Sequence, residues 1–378
     1  MVIGASEAHP APRDNIKPAG PPAKIQSAPT VRISLGIPLL AFMPVPMDAP
    51  LPPPLAPAFK DRYAGLVVFG VFAILIGAAC ALFVPLIFFG QMMAARRLGT
   101  EFEASNALVP AAIYCLLAVT LITLGIGSIR ARRWARALLL CLGWIGLAIG
   151  LVAMPAVWVA MNSLDETMRA QNQIVPPASL ALIKFITLGT SFVIYIVMPL
   201  VTVLFYRGAN VKRTCEVRDP VERWTDRCPL PVLALCVLKA WSLVILLFIL
   251  PVYGHVFPVF GTLVEGWPSR LLWIGVMAFL VYTIRGFYHL QLRAWWVYAV
   301  GSVVIWVSGV VTIQRVGLVG MYRSMGLPER QIEIAAKSPL LQGNAFIWLS
   351  LVSVAIWYGY LLFTRRFFRA ATGRPAAA

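Results

Sequence analysis

The residues of this chain best placed to do chemistry are Lys239, His255 and a pair of prolines, Pro85 and Pro251. Lys239 falls ten residues into an apolar segment, about 15 Å deep at 1.5 Å per residue. An ammonium at that depth is costly in lipid, so it must face protein or water. It is either part of a polar site or a structural lysine held by a partner. Pro85 and Pro251 occupy the same place in two apolar segments. Each is followed by a glycine near the segment end, in Phe88-Phe89-Gly90 and in Tyr253-Gly254-His255. Paired interruptions of this kind point to the solute site of a carrier. Prolines that only kink membrane helices, with neighbours satisfying the freed backbone, give the same pattern. Lys184 lies five residues into its segment, shallow enough to snorkel to the interface. Lys239, His255, Pro85 and Pro251 are therefore the candidate transport or polar site.

The signatures of soluble catalysis are missing. There is no G-x-x-x-x-G-K-[ST], no H-E-x-x-H and no G-x-S-x-G. His9, His255 and His289 are far apart in sequence. No Asp or Glu falls inside an apolar segment, and intramembrane carboxylates carry most proton relays and cation sites. Cys215 and Cys228 share one polar loop as C-x12-C, without the nearby histidine pair of a zinc site. Cys80, Cys115, Cys141 and Cys236 lie in apolar stretches, where cysteine acts as a small hydrophobe. No catalytic, cofactor-binding or metal-ligating residue is expected, and no cofactor.

The elements that must position these residues are membrane spans. Of 378 residues, 60% are hydrophobic and 12% charged, and mean hydropathy is +0.81. A soluble domain carries about 25% charge, so a soluble enzyme and a disordered protein are both excluded. A net charge of +17 on so apolar a chain does not make a nucleic-acid surface. Eight segments meet or nearly meet the length of a span: 64–90, 108–128, 137–161, 180–205, 229–252, 267–284, 294–314 and 346–363. The sixth is the weakest, since its uninterrupted core runs only from Leu271 to Ile284. It is kept as a span because Arg270 can snorkel and Trp267 can sit among headgroups.

Alternation of these spans sorts the loop cations into two unequal sets, 18 on one side and 8 on the other. The positive-inside rule puts the richer side in the cytoplasm, with both termini. The expected location is the bacterial inner membrane. Arg130, Arg132, Arg133 and Arg136, clustered in one short loop, are candidate contacts for anionic lipid headgroups.

The chain also repeats itself. Asp61-Arg62 recurs as Asp226-Arg227, Pro85 as Pro251, Pro110 as Pro268, and RARRWARA around Arg133 as LQLRAWWV around Arg293. Met161, Gln171 and Ile174 recur as Met321, Gln331 and Ile334, with offsets between 158 and 166 throughout. Four spans per unit return the chain to its starting side, so the repeats must be parallel. The fold class is an all-α integral membrane protein of eight helices in two parallel four-helix repeats. Residues 1–59 hold 14 of the 29 prolines and read as a disordered tail, with Met47 as an alternative start. The first repeat is 60–207, the linker 208–228, the second repeat 229–366 and the C-terminal tail 367–378. In the linker, Asp219-Pro220-Val221-Glu222 reads as the start of a short helix stopping at Pro229. Short surface helices are expected after Ser163 and after Pro328. Gly146-x-x-x-Gly150 is expected to pack within the bundle.

The segment TCEVRDPVERWTDRCPLPV, followed by a helix, and the stretch MDAPLPPPLAPAFKDR resemble a family of uncharacterised bacterial multipass membrane proteins. The resemblance spans residues 47–365. It implies membrane location, carries no assigned activity and transfers no functional residue. The expected function is that of a non-enzymatic scaffold, sensor or accessory subunit. The alternative is a carrier for a neutral or anionic solute with its site between the repeats. The expected partner is the bilayer; a protein partner is left open.

Overall fold

The computed structural model describes residues 59–98, 102, 104–162, 164, 168, 176–253, 255–327, 329, 332, 336 and 345–372. Along the chain run α1 (Tyr63–Leu98), α2 (Ala104–Ile129), α3 (Arg133–Asn162), α4 (Pro177–Phe192), a π-helical segment (Val193–Val197) and α5 (Met198–Tyr206). There follow α6 (Ala209–Arg218), α7 (Leu230–Tyr253), strands β1 (Val256–Val259) and β2 (Thr262–Glu265), α8 (Trp267–Tyr288), α9 (Leu292–Ser324) and α10 (Ala345–Thr372). Among the described residues seven helices are long and apolar enough to cross a membrane, with Pro177–Tyr206 counted as one. α10 adds a further helix of 28 residues. Large apolar side chains such as Leu82, Phe185 and Val68 point outward from the bundle. So continuous an apolar exterior is compatible with lipid and not with water. The chain is an all-α multipass membrane protein with one short hairpin. The expected tail, except Phe59, and most of the expected surface helices after Ser163 and Pro328 lie outside the described residues.

The polar end of the bundle bearing α6, here the linker face, holds the core. One cluster joins Leu66, Leu124, Leu139, Leu140, Val203 and Tyr206. A second joins Ala137 and Cys141 to Val232, Phe287, Trp295, Leu361 and Phe368. α3 contributes to both clusters and so couples the two halves of the chain. Tyr206 is locked by chemistry as well as packing. The Ser128 hydroxyl donates to the Leu66 carbonyl at 2.9 Å, which leaves its oxygen to accept from the Tyr206 hydroxyl at 2.6 Å. The ends of the described spans meet on this face: the Arg62 amide donates to Thr214 Oγ1, and Phe368 packs edge-on against Phe287.

The two halves turn back identically after their second span. Ala131 (φ 50°) and Leu290 (φ 54°) both adopt the left-handed conformation. The amides of Ala131 and Arg132 bond to Ser128 and Gly127, and those of Leu290 and Gln291 to Phe287 and Gly286. This is the paired hydrogen-bond closure of a helix C-terminus. In each turn a glycine lets the chain pass an alanine eight residues on: a Cβ at Gly127 would meet Ala135, and one at Gly286 would meet Ala294.

Elsewhere the halves differ. α1 and α2 touch backbone to backbone, since a Cβ at Gly70 would lie 2.7 Å from the Gly125 carbonyl oxygen and one at Gly125 2.6 Å from that of Gly70. α7 and α8 meet instead through side chains, with Cys236 Sγ donating to the Ile284 carbonyl at 3.8 Å. Gly150 of α3 lies against the Tyr195 carbonyl of the π-helical segment, and a Cβ at Gly146 would lie 3.1–3.2 Å from Pro199. The expected intrabundle role of the glycine pair is therefore what the structure has.

One reading of the sequence needs correction. The short linker helix is α6, upstream of Asp219, and Asp219 ends it rather than starting a new one. The side chain of Asp219 pairs with Arg132 of the α2–α3 turn and with Arg223 of the linker, ion pairs unavailable to an N-cap. The connection between α7 and α8 is an antiparallel hairpin, with Val256 opposite Glu265 and Val259 opposite Thr262. Its tip, Phe260-Gly261, is held by α9: the Phe260 amide donates to Ser308 Oγ and the Gly261 amide to Thr312 Oγ1.

Candidate functional site

Lys239 is in the tenth position of α7, and its side chain does not snorkel. It is 2% exposed, with its ammonium 3.1 Å from the centre of the Phe287 ring and 3.5 Å from that of Tyr298. Those rings come from α8 and α9. Phe368 of α10 meets Phe287 edge-on, Phe279 stacks on Tyr298, and Trp357 of α10 meets Tyr298 edge-on. All helices of the second half thus close an aromatic box around one cation. The ring faces supply negative potential, but among the described residues the Nζ has no hydrogen-bond partner. Cys236, one turn earlier on α7, is the thiol that acts electrostatically on it.

The other residues expected near it are elsewhere. His255 lies beyond the end of α7 at Tyr253, which is itself about 21 Å along the helix from Lys239. Its Nε2 lies 3.1 Å from the Ser324 carbonyl oxygen, tying the base of the hairpin to the end of α9. Pro85 and Pro251 both face outward from the bundle. α1 runs on past Pro85 to Leu98, whereas α7 ends two residues after Pro251. The four residues therefore do not converge. Lys184 is half-buried. Among the described residues no three His, Cys, Asp or Glu side chains are grouped to hold a metal.

What does converge is on the linker face, and sequence reasoning saw only its cationic half. Asp219 is 2% exposed. Its carboxylate accepts from Arg223 Nη2 at 2.7 Å and Nε at 3.2 Å, from the Arg133 amide at 3.3 Å and from Arg132 Nη1 at 3.5 Å. The Arg223 hydrogen bonds, ahead of the amide and the Arg132 charge, hold the Asp219 carboxyl below its usual range. Asp226 accepts from the Arg223 amide and pairs with Arg133 at 3.6 Å. Asp61, ahead of α1, pairs with Arg218 at 3.1 Å, and that bond lowers its pKa. The turn carrying Arg132, the linker and the entry to α1 are thus clamped together.

Of the four arginines expected to meet headgroups, Arg130 is exposed and Arg132 and Arg133 are engaged with acidic residues. Arg136 is half-buried, and its Nε has no hydrogen-bond partner among the described residues. Cys215 and Cys228 are free and buried. Burial is the main cause that pushes the Cys215 thiol up to about 11, so it is not poised as a nucleophile. Comparison of the chain with protein-family models, with curated proteins and with solved structures finds no match.

Proposed function

We propose that this chain is a non-enzymatic multipass protein of the bacterial inner membrane, acting as a scaffold, sensor or accessory subunit through its linker face. In this reading eight helices cross the bilayer as two parallel four-helix repeats, and the linker and both termini are cytoplasmic. The twin left-handed turns at Ala131 and Leu290 support descent from a doubled unit. So does the meeting of Arg62 and Phe368 with the linker face.

The observation that carries the reading is the enclosure of Lys239. A carrier needs its midplane cation open to water on at least one side. Here the ammonium is 2% exposed, between two aromatic rings. The organised polar structure is instead the Asp219 clamp. Two measurements test this. Photo-crosslinkers at exposed linker positions Val221 and Glu222, compared with Trp267 on the opposite face, are expected to trap a protein partner only from the linker. Purified protein in liposomes is expected to conduct no neutral or anionic solute. Flux abolished by Lys239→Ala, with no linker crosslink, would overturn the reading.

A further inference from the structure

The Asp219 clamp leaves donors without acceptors. Arg136 sits one turn into α3, and its Nε is fully shielded with no hydrogen-bond partner among the described residues. Arg133, at the start of the helix, reaches Asp226 through Nη1 at a long 3.6 Å, and its own Nε is likewise shielded and unpartnered. Thr225, the residue before Asp226, is 2% exposed, and its hydroxyl also lacks a partner. Asp226 ties these three residues together: it pairs with Arg133, acts electrostatically on Arg136 and adjoins Thr225. Unsatisfied buried donors are rare in proteins, and each carries a desolvation cost until an acceptor arrives.

The charges are unbalanced in the same direction. Arg132, Arg133, Arg136 and Arg223 face Asp219 and Asp226, a local excess of two positive charges. Glu216, which also acts electrostatically on Arg136, is itself paired with Lys212. The missing partner is therefore an anion with several acceptor oxygens. A tetrahedral phosphate matches guanidinium and hydroxyl donors presented from two elements. The first turn of a spanning helix on the polar side lies at headgroup depth.

We propose that Arg133, Arg136 and Thr225 form a binding site for a phosphate group, supplied by an anionic phospholipid or by a free phosphate. The proposal rests on the reading of the linker face as the working surface and gives that face a ligand. Binding leaves the Asp219 clamp in place.

The test uses full-length protein purified in detergent and stripped of lipid. Its melting temperature is followed while inorganic phosphate, dioctanoyl phosphatidylglycerol or, at matched ionic strength, chloride is added. A saturable rise with phosphatidylglycerol alone identifies a lipid site. A rise with inorganic phosphate as well identifies a site for phosphate itself. Arg136→Gln is expected to weaken the midpoint of the rise at least about tenfold, as loss of a charge-assisted hydrogen bond should. Thr225→Val, which changes no charge, is expected to weaken it several-fold. If Arg136→Gln does not fold, Thr225→Val decides alone. No saturable rise beyond chloride, or a rise unchanged in the variants, overturns the proposal. Topology reporters fused after Arg223 test the underlying reading separately: an external linker would refute the cytoplasmic assignment while leaving phosphate binding measurable.

Discussion

Replacing the buried Asp219 by asparagine should destabilise the protein and remove part of its acid sensitivity. The side chain is 2% exposed and accepts two bonds from Arg223, one from Arg132 and one from the Arg133 amide. An amide keeps one oxygen acceptor, sufficient for the Arg133 amide, and loses the charge that the guanidinium groups complement. Breaking a fully buried pair costs about 3–5 kcal/mol. The side chains of Arg132 and Arg223 are 41% and 34% exposed, so water recovers part of that loss. Roughly 2 kcal/mol remains, the order of hydrogen bonds to a charged group. For a large domain this corresponds to a fall in Tm of about 4–8 °C. The pH dependence has a fixed sign. The Asp219 carboxyl is held below its ordinary value of 3.8, so its stabilisation is present above that value and is lost as pH falls through its lowered pKa. The assay is thermal melting in detergent followed by the intrinsic fluorescence of the chain's twelve tryptophans, which reads in acid as well as at neutral pH. Wild type and Asp219→Asn should differ by the full amount at pH 6–8 and converge in acid, below about pH 4. A gap of the same size at pH 3 as at pH 7, or no gap at all, would refute the electrostatic account of the clamp.

Three further outcomes follow from packing. Lys239→Met keeps the length of the side chain and removes an ammonium without a hydrogen-bond acceptor among the described residues. Since it gives up only cation–π attraction of about 2 kcal/mol against a desolvation cost of several, Tm should hold or rise; a fall above about 5 °C would reveal an unseen partner. Ser128→Ala strands the buried Tyr206 hydroxyl and should cost about 1–3 kcal/mol, which Tyr206→Phe in the same background should largely restore. Gly150→Ala drives a methyl into the Tyr195 carbonyl, a backbone atom that cannot swing away, and should cost about 1–3 kcal/mol in melting. An unchanged Tm would mean that the π-helical segment yields easily.

The spans were legible because the bilayer asks one simple thing of a helix, about 20 apolar residues. The weakest case shows how far that criterion reaches. Leu271–Ile284 is too short alone, yet α8 runs from Trp267 to Tyr288, extended at one end by Pro268 in its first turn and at the other by the turn after Arg285. The hairpin was not legible, because VFPVFGTLVE reads as loop or apolar run by composition. Its strands exist because Ser308 and Thr312 of α9, some 50 residues away, satisfy the tip amides. The π-helical segment was hidden for a related reason. It sits where Gly150 closely approaches Tyr195, a tertiary contact that local sequence does not carry.

The site was half legible, and the missing half was carboxylate. Charge counting assigned Arg132, Arg133 and Arg136 to lipid because a loop of like charges on the polar side of a span usually meets headgroups. Asp219, 86 residues from Arg133, instead read as a helix cap from its local neighbours Pro220 and Glu222. Only the fold brings the two readings together. The acid neutralises the arginines nearest to it, Arg132 and Arg223, and the α3 turn donates its amide. That division explains why the basic loop can be both structural and receptive. The guanidinium groups bound by Asp219 fix the geometry of the face, while Arg136, one turn deeper, retains an Nε donor that no described residue uses. A ligand bound there meets a surface already held in place, so little ordering entropy opposes binding. Loosening the clamp with Asp219→Asn should therefore weaken phosphate binding even though Asp219 itself repels anions. If the variant bound phosphate more tightly, simple charge would outweigh preorganisation, and the clamp would be no more than a counter-ion.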